Sequence, residues 1–77
     1  MIEEEILEIA KSLGFATRLN EKNYWQILPL KPSETWMLTY IKSRWTLSIK
    51  NVPQIRLNER EAIAFLTSRS QIENKES

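Results

Sequence analysis

The side chains of this chain that could do chemistry are basic and aromatic, and they gather between residues 24 and 57. The set that we single out has four basic and three aromatic members: Lys42, Arg44, Lys50, Arg56, Trp25, Trp36 and Tyr40. Aromatic rings stack on nucleic-acid bases, and lysine and arginine follow a phosphate backbone. An exposed apolar patch with a basic rim also marks protein-interaction surfaces. These residues therefore predict a binding surface.

The residue types that most enzyme chemistry needs are missing. The chain contains no histidine, no cysteine and no aspartate, so it lacks the usual general base near neutral pH and the best nucleophile. Disulfides and thiolate metal sites are excluded with the cysteines. Gly14 is the only glycine, so there is no glycine-rich phosphate loop. We therefore expect a non-enzymatic protein without a cofactor or a metal.

The charge is unevenly distributed, although the formal net charge is only +1. Residues 1–17 carry −3, because four glutamates outweigh one lysine. Residues 18–57 carry +5, because seven basic residues outweigh two glutamates, and residues 58–77 carry −1. Positive charge therefore belongs to the central part and negative charge to the ends, a pattern that bears on partners rather than on the fold.

Two amphipathic helices flank the central part. Residues 2–13 repeat apolar side chains at spacings of three and four, with glutamates in the first turn, where they favour the helix dipole. Gly14 follows the last apolar position and is suited to a left-handed cap. We therefore expect the first helix to end there.

The second helix is expected to start after Asn58. Asparagine is a strong N-cap, and Glu61 three residues later gives a start that resembles a capping box. An apolar stripe follows, and we expect the helix to fray after Arg69. The polar residues 71–77 are expected to form a disordered tail, which leaves one domain over 1–70.

The segment between the helices is typical of β-strands. Enrichment in β-formers and apolar–polar alternation predict strands over 24–30, 35–42, 45–50 and 54–57. Residues 15–19 alternate only weakly and are expected to form a short edge strand. Short links favour antiparallel neighbours. The predicted fold is α+β, in the order α-β-β-β-β-α, with a four-stranded antiparallel meander and two amphipathic helices.

The two middle strands of the predicted meander are apolar on both faces. In the second of them, the apolar residues Trp36, Leu38 and Tyr40 lie opposite Met37 and Ile41. If both helices pack on one face, the other stays open as a dimer interface, a surface for a protein partner or a site for single-stranded nucleic acid. Helices on opposite faces would leave nothing exposed. Core tryptophans are commoner than base-stacking ones, so we rank a nucleic-acid site below a covered sheet and a dimer interface taken together.

The junction between the last predicted strand and the second helix resembles that of the Whirly-like fold. The resemblance rests on Arg56-Leu57-Asn58-Glu59-Arg60-Glu61-Ala62 and covers the element order over 24–69. In that fold a curved β-meander leads directly into a helix, as in small transcriptional coactivators that bind single-stranded DNA as dimers. Two features depart from that family: the N-terminal helix is extra here, and the chain has no counterpart of the family's basic β-loop beyond Lys42-Ser43-Arg44. The general character of the sequence, without any particular motif, also resembles that of small uncharacterised cyanobacterial proteins.

The expected function is that of a small interaction protein. It would act through the open face of its sheet, as a dimer or with a protein partner, and the second possibility is single-stranded nucleic-acid binding. No apolar run approaches the roughly 20 residues of a membrane span. The N-terminus is acidic, unlike that of a signal peptide, so we expect a cytoplasmic protein without a membrane partner.

Overall fold

A helix, a run of strands and a second helix make up the part of the chain that the structure describes. The computed structural model describes residues 2–31 and 33–76, with side chains over 4–31 and 33–71. The elements are α1 Ile2–Ser12, β1 Ala16–Leu19, β2 Trp25–Leu28, β3 Trp36–Ile41, β4 Arg44–Ile49, β5 Val52–Leu57 and α2 Glu59–Glu76.

The strands form one antiparallel sheet in the order β1-β2-β3-β4-β5. The predicted α+β class is confirmed, but the sheet has five strands where the sequence predicts four. The additional strand is β1, which pairs with β2 from Ala16 opposite Leu28 to Leu19 opposite Trp25. Its signal in the sequence is weak because it has only four residues, of which three are exposed.

Tight turns set the register at both ends of β4. Lys42 and Ser43 have φ values of 51° and 66°, and Lys50 and Asn51 have φ values of 52° and 69°. Two consecutive positive φ values are the geometry of a type I′ turn, whose twist matches that of the paired strands. The turns therefore keep β3, β4 and β5 in one continuous meander.

Both helix caps predicted from the sequence are present. Gly14 follows α1 with a φ of 97°, and the N–H groups of Gly14 and Phe15 donate back to carbonyls of the last turn, that of Phe15 to Ala10 at 2.9 Å. This is a Schellman motif. At the start of α2, the Glu61 N–H donates to the Asn58 side chain and the Asn58 N–H donates to the Glu61 carboxylate, both at 2.8 Å. This is a capping box.

Helix α2 runs to Glu76, beyond the end that the sequence predicts after Arg69. The helical backbone thus continues into the range 71–77, for which the sequence predicts a disordered tail. Ser77 lies outside the described residues. The division into a domain over 1–70 and a disordered tail stays a prediction.

Both helices pack on the same face of the sheet. Their buried apolar side chains join those of the strands in one cluster, which contains Ile6, Leu7, Ala10, Phe15, Ile27, Trp36, Leu38, Trp45, Leu57, Ala62 and Leu66. The two helices also contact each other. Within the described residues, the second face of the sheet is therefore left without a helix.

Candidate binding face

The pairing register assigns each strand residue to one of two faces. Residues directly opposite each other in neighbouring antiparallel strands point to the same side. Leu38 pairs with Ile27, and both are completely buried in the cluster that contains the helices, so they mark the helix face. The next residue, Thr39, pairs with Gln26 and marks the opposite side, which we call the open face.

A line of polar side chains crosses the open face through all five strands. The successive pairs are Arg18 with Gln26, Gln26 with Thr39, Thr39 with Thr46, and Thr46 with Arg56. We call these five residues the polar row. Neighbouring strands lie about 4.8 Å apart, so the row extends over about 19 Å. One arginine therefore stands at each edge of the sheet.

Hydrogen bonds connect the first three members of the polar row. The Arg18 Nε–H donates to Gln26 Oε1 at 2.8 Å, and the Gln26 Nε2–H donates to Thr39 Oγ1 at 3.3 Å. Gln26 and Thr39 are only 5% and 6% exposed, although neither helix packs on this face. Buried polar groups are costly unless they are hydrogen-bonded. The two bonds therefore hold these side chains in one arrangement.

The open face carries positive charge that no strand carboxylate balances. Arg18, Arg44 and Arg56 belong to it by register, and none of the described strand residues is acidic. The Arg56 Nη2 group donates to the carbonyl of Ile41 at 3.4 Å, so this side chain reaches across β4 towards β3. The first helix packs on the other face of the sheet. It exposes three glutamates, Glu4, Glu5 and Glu8. Charge is thus separated across the sheet.

The aromatic residues predicted for the site lie on the helix face. Trp36 is 6% exposed and makes edge-to-face contacts with Phe15 and Phe65, with ring centroids 5.3 Å and 5.1 Å apart. Trp25 and Tyr40 are half-buried and pack against the same cluster. The register therefore places Trp25 and Trp36 on the side of the sheet opposite the arginines of the open face.

The basic residues predicted for the site lie in three places. Arg44 and Arg56 are on the open face. Lys42 lies in the turn before β4, and Lys50 lies in the turn at the other end of that strand. A cleft of about 460 Å³ lies beside the turn between β3 and β4. It is lined by Tyr40, Lys42 and Arg44, together with the start of α2. These three predicted residues are brought together, and Lys50 is distant from them.

A larger cleft on the open face contains residues that the sequence-based prediction misses. Its volume is about 610 Å³, and Arg18, Gln26 and Thr39 line it together with the segment between β1 and β2, which includes Tyr24, and with Asn51 and further residues of β1 and β3. Arg18 stands in the weakly alternating strand, and the other two are neutral polar residues between apolar neighbours. Pairing of alternate positions across the strands is the signal that would have placed them in one row.

A second exposed surface lies at the edge formed by β4 and β5. Ile49, Val52 and Ile55 are 42%, 56% and 54% exposed and point to the side of the helix face. We call these three residues the apolar edge. β5 starts at Val52, two residues before the predicted start at Gln54, and it contains Pro53 next to a register shift. Proline and a bulge on an edge strand disfavour the addition of a further strand.

Among the described residues, no helix is long and apolar enough to cross a membrane. In the same residues, no group of three or more histidine, cysteine or acidic side chains is placed to hold a metal ion. Comparison with known proteins found no matching family model, curated protein or solved structure. The resemblance to the Whirly-like fold therefore stays a hypothesis.

Proposed function

We propose that this protein is a non-enzymatic binding protein whose open face holds an acidic segment of a protein partner. The observation that supports the proposal is the presence of three arginines on this face, Arg18, Arg44 and Arg56, with no acidic residue in any described strand. Guanidinium groups bind carboxylates through paired hydrogen bonds, and complementary charge favours specific encounter. An extended acidic segment lying across the strands would meet an arginine at either edge of the sheet.

The chemistry of the open face favours a protein over a nucleic acid. Arginine and methionine are enriched in protein interfaces, and Met37 lies half-buried on this face beside the polar row. Single-stranded nucleic acid is bound largely by stacking on aromatic rings. The rings of Trp25, Trp36 and Trp45 belong to the helix face. A partner that relies on hydrogen bonds to arginine, rather than on stacking, therefore fits better.

Single-stranded nucleic acid is the second candidate partner. One observation favours it, namely the cleft at the turn before β4 that Tyr40, Lys42 and Arg44 line together. An aromatic ring beside two cations is the combination that a single strand requires. A strand bound there would be centred on this turn rather than on the polar row.

If the protein forms a dimer, we expect the two copies to meet at the apolar edge and not at the open face that the sequence predicts as a dimer interface. Two copies of the open face would oppose like charges, which disfavours their pairing. The apolar edge, in contrast, exposes three aliphatic side chains that a second copy would bury. We therefore propose the open face for the acidic partner and leave the apolar edge as the surface that a dimer would use. The cytoplasmic location stays a prediction.

Calorimetric titrations of matched variants test the proposal. The probes are a short polyglutamate peptide and a short oligothymidylate, each at low and at raised salt. The variant with Arg44→Glu and Arg56→Glu is expected to bind the peptide at least about ten-fold more weakly. The control carries Lys11→Glu and Arg60→Glu, two exposed helix positions with the same change in net charge. It is expected to keep the affinity.

Three results would contradict the proposal. Equal losses in both variants would mean that net charge alone attracts the peptide. Saturable oligothymidylate binding without peptide binding would favour the nucleic-acid candidate. No affinity for either probe, in a protein that sediments as a dimer, would direct attention to the apolar edge.

A further inference from the structure

The cleft over β1 to β3 has the dimensions and the lining of a small-ligand site. Its volume of about 610 Å³ falls within the range of about 300–1,000 Å³ that small-molecule sites occupy. Tyr24, Met37 and Ile41 are half-buried and provide an apolar part of its wall. Arg18, Gln26 and Thr39 of the strands provide a polar part, and four polar residues of the neighbouring turns complete it: Asn20, Glu21, Lys22 and Asn51. Such a lining suits a ligand with one polar group and one apolar body.

The orientation of the Gln26 amide in this cleft is fixed by its partners. Arginine can only donate, so the atom that faces the Arg18 Nε–H at 2.8 Å must be the amide oxygen. The amide nitrogen then faces Thr39 Oγ1 at 3.3 Å and donates to it. The side-chain acceptors of Gln26 and Thr39 are thus engaged within the protein, while the Thr39 hydroxyl keeps its own hydrogen to donate.

Among the described residues, the Arg18 guanidinium makes its hydrogen bond through Nε–H, and its two terminal nitrogen atoms have no partner. These atoms offer the parallel N–H pair that binds a carboxylate through two hydrogen bonds. Glu21 and Lys22 also line the cleft and are exposed, and within the described residues no carboxylate forms a salt bridge with Arg18. Arg18 therefore offers donors to a ligand that brings acceptors.

We infer that this cleft binds a small organic acid, whose carboxylate pairs with Arg18 and whose apolar body lies on Tyr24, Met37 and Ile41. This inference shares Arg18 with the surface proposed for the acidic protein partner but does not use Arg44 or Arg56, so the variant with Arg44→Glu and Arg56→Glu distinguishes the two proposals. A neutral amide would present one acceptor oxygen where a carboxylate presents two. An inorganic anion would leave the apolar wall without a contact.

Nuclear magnetic resonance titrations with matched ligands test the inference. The probes are 4-phenylbutyrate, its neutral primary amide and inorganic phosphate, followed through the Arg18 Nε–H and Gln26 side-chain amide signals. We expect saturable shifts with the acid, and affinities at least about ten-fold weaker for the amide and for phosphate. Equal affinity for the acid and the amide would contradict the pairing of the ligand's carboxylate with Arg18. Equal affinity for the acid and phosphate would contradict the contact between the ligand's apolar body and the wall of the cleft.

Conservative variants assign the effect to Arg18. Arg18→Lys keeps the positive charge but removes the parallel N–H pair of the guanidinium, so we expect the affinity for the acid to fall about ten-fold. Gln26→Glu places a carboxylate against the guanidinium and is expected to abolish acid binding. The control Arg60→Lys makes the same change at an exposed position of α2 outside the cleft and is expected to leave acid affinity unchanged. Equal losses in Arg18→Lys and Arg60→Lys, or no loss in Arg18→Lys with dispersed spectra, would overturn the inference.

Discussion

The two faces of the sheet are built from the same strands, but they bury their side chains by different means. Leu38 is fully buried by apolar packing beneath the helices, whereas its neighbour Thr39 is 6% exposed on a face without a helix. Gln26 donates a hydrogen bond to Thr39 and accepts one from Arg18. Burial on the helix face therefore provides stability, and burial on the open face fixes the positions of hydrogen-bonding side chains.

The largest expected effect is on the helix face, at Trp45. It is 1% exposed, and its ring centroid lies 4.9 Å from that of Tyr40. Trp45→Ala is expected to lower the free energy of unfolding by about 3–5 kcal/mol, because it removes a buried ring and leaves a cavity. Urea denaturation measures this change.

The matched variant Trp45→Phe separates the ring from the indole N–H. The buried Trp45 Nε1 has no hydrogen-bond acceptor among the described residues, so its removal offsets part of the lost packing. We expect a cost of about 1–2 kcal/mol for this variant. A phenylalanine variant as unstable as the alanine variant would contradict the view that ring packing, rather than the N–H, makes Trp45 stabilising.

The next prediction compares the stability lost by substitution at two neighbouring residues of β3, one on each face of the sheet. Leu38→Ala is expected to cost about 2–5 kcal/mol, because it opens a cavity beneath the helices. Thr39→Ala removes one hydrogen-bond acceptor from the open face and is expected to cost about 1 kcal/mol. Urea denaturation of the two variants gives both values. Equal costs would mean that both faces stabilise the fold by the same means, and the contrast between them would be lost.

The smallest expected effect concerns the helix that covers the sheet. Asn58→Ala removes the side-chain acceptor for the Glu61 N–H in the capping box, which is expected to cost about 1 kcal/mol. Asn58→Ser keeps a capping oxygen and serves as the control, with an expected cost near zero. Thermal unfolding of the pair checks the difference. A serine variant as unstable as the alanine variant would show that this oxygen does not cap α2.

Local signals in the sequence predicted the end of α1 and the start of α2, but not the end of α2. Gly14 has a positive φ where a left-handed cap is expected, and Asn58 and Glu61 exchange the two bonds of a capping box. Such motifs depend on residues at most a few positions apart, so the sequence displays them completely. The alternation over 15–19 predicted a short edge strand but was too weak to add it to the four-stranded meander, and pairing with β2 makes β1 the fifth strand of the sheet.

The candidate site could be predicted only in part. Arg44 and Arg56 lie on the open face, but Trp25 and Trp36, which were predicted beside them, lie on the helix face. The face to which a residue points follows from the strand register, and a shift of one position exchanges the faces. Arg18, Gln26 and Thr39 come together through pairing between three strands, which no local pattern reveals.

The most direct test of the account uses one ¹⁵N–¹H correlation spectrum to report on both faces of the sheet. The Nε–H signals of Arg18, Arg44 and Arg56 report on the open face, and the indole signals of Trp36 and Trp45 report on the helix face. On titration with a short polyglutamate peptide, we predict saturable shifts of the arginine signals while the indole signals stay in place. Shifts of the indole signals with unchanged arginine signals would contradict the assignment of binding to the open face.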